Sequence, residues 1–139
     1  MNIELYPQCQ LFKFTILLNY NKEYFIRPEI ESRAVNGTVI NRAYYSAYSY
    51  ALLWLEETEK FKPKQKWEFE EKGEKYVSEH QQVRNALKDH NKIKASRKLK
   101  DLHDLRKKAD YKLSDPLTKN DLDESIEYMN VIFDELKFN

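Results

Sequence analysis

The chain has 139 residues, 41% hydrophobic and 34% charged, a balance that suits one globular domain with one core. Its 24 basic and 23 acidic residues leave a net charge of +1, so no global basic field marks it for nucleic acid and any such binding rests on local clustering. Two glycines exclude a Gly-rich phosphate loop, a dinucleotide fingerprint and most turn-rich β folds; one cysteine, Cys9, excludes an intrachain disulfide and a cysteine-based zinc site.

From the amino end, residues 1–25 are hard to read by period. Leu11, Phe12, Phe14, Ile16, Leu17 and Leu18 form a dense apolar run that we assign to a helix, with Pro7 in its first turn and Asn19-Tyr20-Asn21 as its stop. Residues 26–32, around Pro28, read as a short helix or connector. The next element is clearer. Val35, Val39, Ala43, Ala47, Ala51 and Leu55 recur every four residues beside Ile40, Tyr44, Tyr48 and Leu52, which predicts a long helix from Ala34 to Thr58. Residues 59–75, rich in Lys and Glu and broken by Pro63 and Gly73, read as a mobile connector pinned by Trp67 and Phe69.

Ser78 is placed to cap a helix running to His90, with Val83, Ala86 and Leu87 facing inward and a break at 91–94. Leu99, Leu102, Leu105, Ala109 and Leu113 predict a further helix from Ala95, ended by Ser114-Asp115-Pro116. Thr118 with Asp121 starts the last helix, whose core side is Leu122, Ile126, Met129, Phe133 and Leu136. The sum is a single all-α domain over residues 1–139, an up-and-down bundle of four to five helices. With no apolar stretch near ~18–20 residues and no leader pattern, the expected setting is the cytoplasm, away from membranes.

Metal and nucleophile chemistry have little support. His80, His90 and His103 form no ligand pair at helical spacing, Glu56-Glu57 and Glu70-Glu71 lie in solvated runs, and Ser78 with His80 is no more than adjacency. No cofactor is expected. Lys92, Lys94, Arg97, Lys98, Lys100, Arg106, Lys107 and Lys108 make a local basic stretch that attracts polyanions or simply solvates a helix face. On the same helix His103, Arg106 and Asp110 share a face, with Tyr111 on its edge. A guanidinium can hold a phosphate in fork geometry, and an imidazole or phenol can pass a proton. RNA brings its own nucleophile, the 2′-hydroxyl. The competing reading is an ordinary i, i+4 bridge between Arg106 and Asp110, with a surface value of ~0.3–0.5 kcal/mol.

Three motifs, in order, resemble those of small HEPN-domain proteins. Asn41-Arg42-Ala43-Tyr44-Tyr45-Ser46-Ala47-Tyr48 is similar to that group's Arg-Ala-Tyr-Tyr-Ala-Ala-Phe helix. Ser78-Glu79-His80 falls where it often has a Ser-His pair, and Arg106-Lys107-Lys108-Ala109-Asp110-Tyr111 matches its Arg-x-x-Ala-Asp-Tyr motif. The match spans about Ala34 to Leu136; the first 25 residues match less well. The resemblance implies a helical bundle that dimerises with its motif helices facing. It also implies metal-independent RNA cleavage in toxin–antitoxin or phage-defence systems. Arg106, Tyr111 and Asp110 carry over as the catalytic set, with His103 as a further candidate. Arg42, Tyr45, His80 and Lys107 are the expected RNA- or nucleotide-binding residues. The catalytic signature of the family places a His after its Arg; here no His follows Arg106, and Tyr111 stands five residues on. A non-catalytic RNA- or nucleotide-binding partner of a nucleotidyltransferase-type antitoxin or defence protein is therefore the alternative.

Overall fold

A computed structural model describes residues 6–27 and 30–138. The expectations for residues 1–5 and for Pro28 lie outside these. Among the described residues, six helices run in the order α1 (Pro7–Tyr20), α2 (Ser32–Glu59), α3 (Lys66–Glu71), α4 (Glu79–Asp89), α5 (Ile93–Tyr111) and α6 (Lys119–Glu135). Among the described residues there is no named strand; a lone bridge joins Arg27 to Ile30, and a 3-10 turn covers Lys22–Tyr24.

The bundle is built around α2, which packs against α1, α4, α5 and α6. The reason is its composition. Val39, Ile40, Ala43, Tyr44, Ala47, Ala51 and Leu55 are wholly buried, and the alanines let the other helices come close. Gly37 is not needed for that approach: a methyl group there would sit at ordinary contact distances, 3.6 Å from Leu117 and 3.9 Å from Ala109.

The six helices exceed the expected four to five. The addition is α3, inside the stretch read as a connector. Gln65 and Glu68 form a capping box that lets so short a helix start. Phe69, at 6% exposure, packs edge-on to Tyr76 and anchors it. Trp67 does not pin the segment as expected, since it is 57% exposed. Leu113 is also no core residue: α5 stops at Tyr111, and without the next turn the leucine is carried outward, 69% exposed.

The corner between α4 and α5 sets how these two helices face each other. Asn91 takes a left-handed φ of 63°; its N–H donates to the Lys88 carbonyl (3.2 Å) and that of Lys92 to the Leu87 carbonyl (2.7 Å). This closes α4 in the paired-bond manner that asparagine tolerates. It turns the chain so that α5 runs back along α4. Ser78 caps α4 and Thr118–Asp121 box the start of α6, both as the sequence predicts.

Candidate functional site: an arginine, imidazole and tyrosine cluster

Arg106 and Asp110 lie one turn apart near the end of α5, and Nε of the first is 2.8 Å from Oδ2 of the second. The N–H is not aimed along that line, so the contact is an ion pair without a proper hydrogen bond. Asp110 Oδ2 is instead satisfied by Asn41 Nδ2 from α2, at 2.9 Å. The Arg106 guanidinium sits over two rings, Tyr45 and Tyr111, each 5.3 Å from its carbon. Its Nη2 reaches the Tyr111 hydroxyl at a loose 3.4 Å. Tyr111 itself is 69% exposed.

Arg33, from the first turn of α2, holds this end of α5. It donates to the carbonyls of Lys108 (3.2 Å), Ala109 (3.2 Å), Lys112 (2.8 Å) and Asp115 (2.8 Å). These include the Ala109 carbonyl, which the helix end leaves without a backbone partner, and a cation there also meets the negative pole of the helix.

Behind Tyr45 the site continues inward. Tyr44 lies edge-on to Tyr45 and stacks on Tyr48, His80 and His103. The two imidazoles stack on each other with ring centroids 5.2 Å apart and planes within 8°. The Tyr44 hydroxyl is hydrogen-bonded to His80 Nδ1, and Tyr48 donates to Glu79 Oε1 at 2.8 Å. Arg84, only 7% exposed, closes the far side. Its Nη2 donates to Gln81 Oε1 (2.6 Å) and its Nη1 faces His103 Nδ1 (3.3 Å). An arginine can only donate, so Nδ1 of His103 is the acceptor and its ring proton sits on Nε2.

This packing dictates the electrostatics. Burial pushes the Tyr44 and Tyr48 hydroxyls well above the ordinary tyrosine range, so both stay protonated. Burial, then the charges of Arg106 and Arg84, lowers the His80 pKa. His103 falls to about 4 through burial, the neighbouring His80, and the cations Arg84, Lys107 and Arg106. Both rings are therefore neutral near pH 7.

Of the expected residues, Arg106, Asp110, Tyr111 and Tyr45 come together at the mouth, and His80 and His103 join them through Tyr44. Arg42 is exposed and lines a separate depression of about 350 Å3 with Asn41 and Asp110. Lys107 points to solvent, 3.8 Å from Asp104. The residues not foreseen are Arg84, Tyr44, Tyr48, Glu79, Asn41 and Arg33. For Arg84 a signal existed: it stands four residues after His80 and so shares its helix face. Among the described residues no group of His, Cys, Asp and Glu is arranged to hold a metal ion, and no helix is long and apolar enough to cross a membrane. Comparison with family models, curated proteins and solved structures finds no match for this chain.

Proposed function

We propose that the protein is a HEPN-type endoribonuclease that cuts RNA without metal and acts as a toxin in a toxin–antitoxin or phage-defence system. The observation that carries this reading is the pair of neutral, stacked imidazoles, His80 and His103, joined to the Arg106 guanidinium through the rings of Tyr44 and Tyr45. The histidine absent after Arg106 is thereby replaced from elsewhere in the fold, by His103 one turn earlier and His80 on α4.

On this reading Arg106 holds the scissile phosphate. His103 takes the proton of the 2′-hydroxyl, O2′ bonds to phosphorus, and the P–O5′ bond breaks. Tyr111 gives its proton to the leaving O5′ and recovers one from the His103 imidazolium through solvent. The products are a 2′,3′-cyclic phosphate and a 5′-hydroxyl. The phosphate's own charge, set beside His103, offsets the cations that hold its pKa down and makes it a better base. Two copies pair across the exposed Tyr111 end of α5, in the cytoplasm.

The test is purified chain with RNA in excess EDTA. Cleavage with cyclic-phosphate ends is expected. It should fall steeply in Arg106→Ala and vanish for a substrate carrying 2′-deoxyribose at the cut position. RNA left intact by a folded protein overturns the proposal.

A second reading has its own support: Arg84 occupies the only lone pair through which neutral His103 can accept a proton. If that contact persists with ligand bound, the protein is a non-catalytic RNA- or nucleotide-binding partner of a nucleotidyltransferase-type protein. RNA bound but uncut, and growth unaffected by expression alone, would favour it.

A further inference from the structure

Between α4 and α5 runs a groove of about 440 Å3 on the far side of Arg84 from the imidazoles. Arg84 and Lys88 line its α4 wall, Arg97 and Lys100 its α5 wall, and Gln81 and Asn85 add amide groups. The one carboxylate lining it, Asp101, lies 4.0 Å from Lys98, and Lys100 is held by Asp104 at 2.7 Å. Among the described residues, no side-chain hydrogen bond or ion pair engages Lys88 or Arg97.

Arg84 is the unusual member. It is buried, yet no carboxylate among the described residues pairs with it; its side-chain partners are the neutral Gln81 and His103. A buried cation without a counter-charge carries an uncompensated desolvation cost. A guanidinium so placed, with free cations further out in the same groove, matches an anion with several oxygens. The cationic positions along α4 and α5 spread the charge over a strip rather than a point. From Gln81 to Lys88 that strip is about 10 Å long at 1.5 Å per residue.

We propose that this groove binds the phosphate backbone of single-stranded RNA, delivering the strand to the Arg106 centre, with Arg84 as the positioning residue between the two. This rests on the ribonuclease reading above and adds the surface by which substrate is held. The forked head of Arg84 joins the two compartments. A phosphate that draws Arg84 toward the groove takes away the donor that occupies His103 Nδ1. Binding in the groove thus frees the base. The charged and titratable groups facing His103 are His80 and Arg84 from α4, Tyr44 from α2, and Asp104, Arg106 and Lys107 from its own helix.

Fluorescence anisotropy of a labelled single-stranded RNA, titrated against the full chain at several KCl concentrations, tests the groove. Lys88→Ala/Arg97→Ala changes two exposed side chains and leaves the fold intact. The double variant should bind more weakly, and its log–log salt slope should be shallower by about 1.4, from ~0.7 per single-strand phosphate released. Arg106→Ala should still bind RNA while losing cleavage. Wild-type affinity and slope in the double variant overturn the groove and leave the ribonuclease reading standing. RNA bound through the groove but never cut overturns cleavage and leaves the groove standing. No RNA binding by the wild type overturns both. For Arg84, inorganic pyrophosphate should move the NMR titration of His103 to higher pH in the wild type and not in the double variant; an unmoved wild-type titration removes Arg84 from the coupling.

Discussion

The end of α5 and the cluster behind it use the same residue types in opposite ways. At the α5 end, Arg106 meets Asp110 and an exposed tyrosine at the protein surface. In the cluster, Arg84 meets only neutral partners, and the tyrosines are buried with their hydroxyls already bonded. The first is a cation paired with a carboxylate and largely covered by two tyrosine rings, its side chain 15% exposed. The second is an unpaired cation held in a packed interior, which costs stability and persists only because the surrounding helices fix it. What separates the two arginines is the counter-charge, present at Arg106 and absent at Arg84, more than their exposure. Here they share one aromatic wall, Tyr44 and Tyr45.

The sharpest way to break that comparison is to remove the outer cation. Arg106→Ala should lower RNA cleavage by about 10²–10³-fold, the usual loss when a transition-state charge stabiliser goes. Its thermal stability should fall too, though by much less in free energy, because the side chain is partly buried against Tyr45 and Tyr111 as well as paired to Asp110. Cleavage assays beside a melting curve separate the two effects. Equal losses in activity and stability would make Arg106 a structural residue.

The inner cluster responds to acid instead. His103 and His80 titrate lower in the folded chain than in the unfolded one. Between the free-histidine pKa of ~6.5 and the folded His103 value of about 4, the unfolded state binds more protons. Stability therefore rises with pH across that window and is lost on acidification. Each ring that gains a proton on unfolding weakens the folding equilibrium by up to about tenfold per pH unit. Urea midpoints from pH 7.5 to 4.5 should fall, and the fall should shrink in His103→Gln. A flat profile would mean that the rings are more open to water than their stacking implies.

These contrasts explain how much of the molecule is legible in its sequence. The long α2 and the caps at Ser78 and Thr118 are readable because a four-residue apolar repeat and a Ser or Thr at a helix start act locally. Arg106, Asp110 and Tyr111 are readable because they lie within one and a half turns of one helix. The imidazole stack is not, since His80 and His103 come from two helices and meet over Tyr44 from a third. Tyr44 and Tyr48 look like core fillers, and their rings are that; their hydroxyls have a second task that periodicity does not reveal. The helix α3 escapes a pattern reading because its two apolar residues, Trp67 and Phe69, are two apart in a charged run, and only Phe69 is buried. Arg33 escapes it because its carbonyl partners lie 75 to 82 residues away.

Arg33 gives the next test in order of size. Arg33→Ala takes the side-chain donor from the Ala109 and Asp115 carbonyls, while those of Lys108 and Lys112 keep backbone donors, and it removes a cation from the helix's negative end. A loss of about 1–2 kcal/mol is expected by analogy with other helix-end contacts, with faster amide exchange in the last turn, residues 108–112. Cleavage should fall as well, because that turn carries Asp110 and Tyr111. Intact activity with a frayed turn would show that Tyr111 needs no fixed place and would shift the proton transfer to the imidazoles.

The smallest expected effect is at Gly37, which faces Ala109 of the same turn. A methyl group there would meet Leu117 and Ala109 at 3.6–3.9 Å, ordinary contact distances, and the backbone is plain helix. Alanine restricts the unfolded chain and suits a helix interior, so Gly37→Ala should raise stability by about 0.5–1 kcal/mol. The gain should appear as a higher urea midpoint at unchanged slope. It also probes the contrast between the two regions. If α5's end is already seated by Arg33, the added methyl leaves cleavage unchanged. If cleavage falls while stability rises, the α2–α5 approach has to breathe for RNA to enter, and the open half of the site is less rigid than its hydrogen bonds suggest.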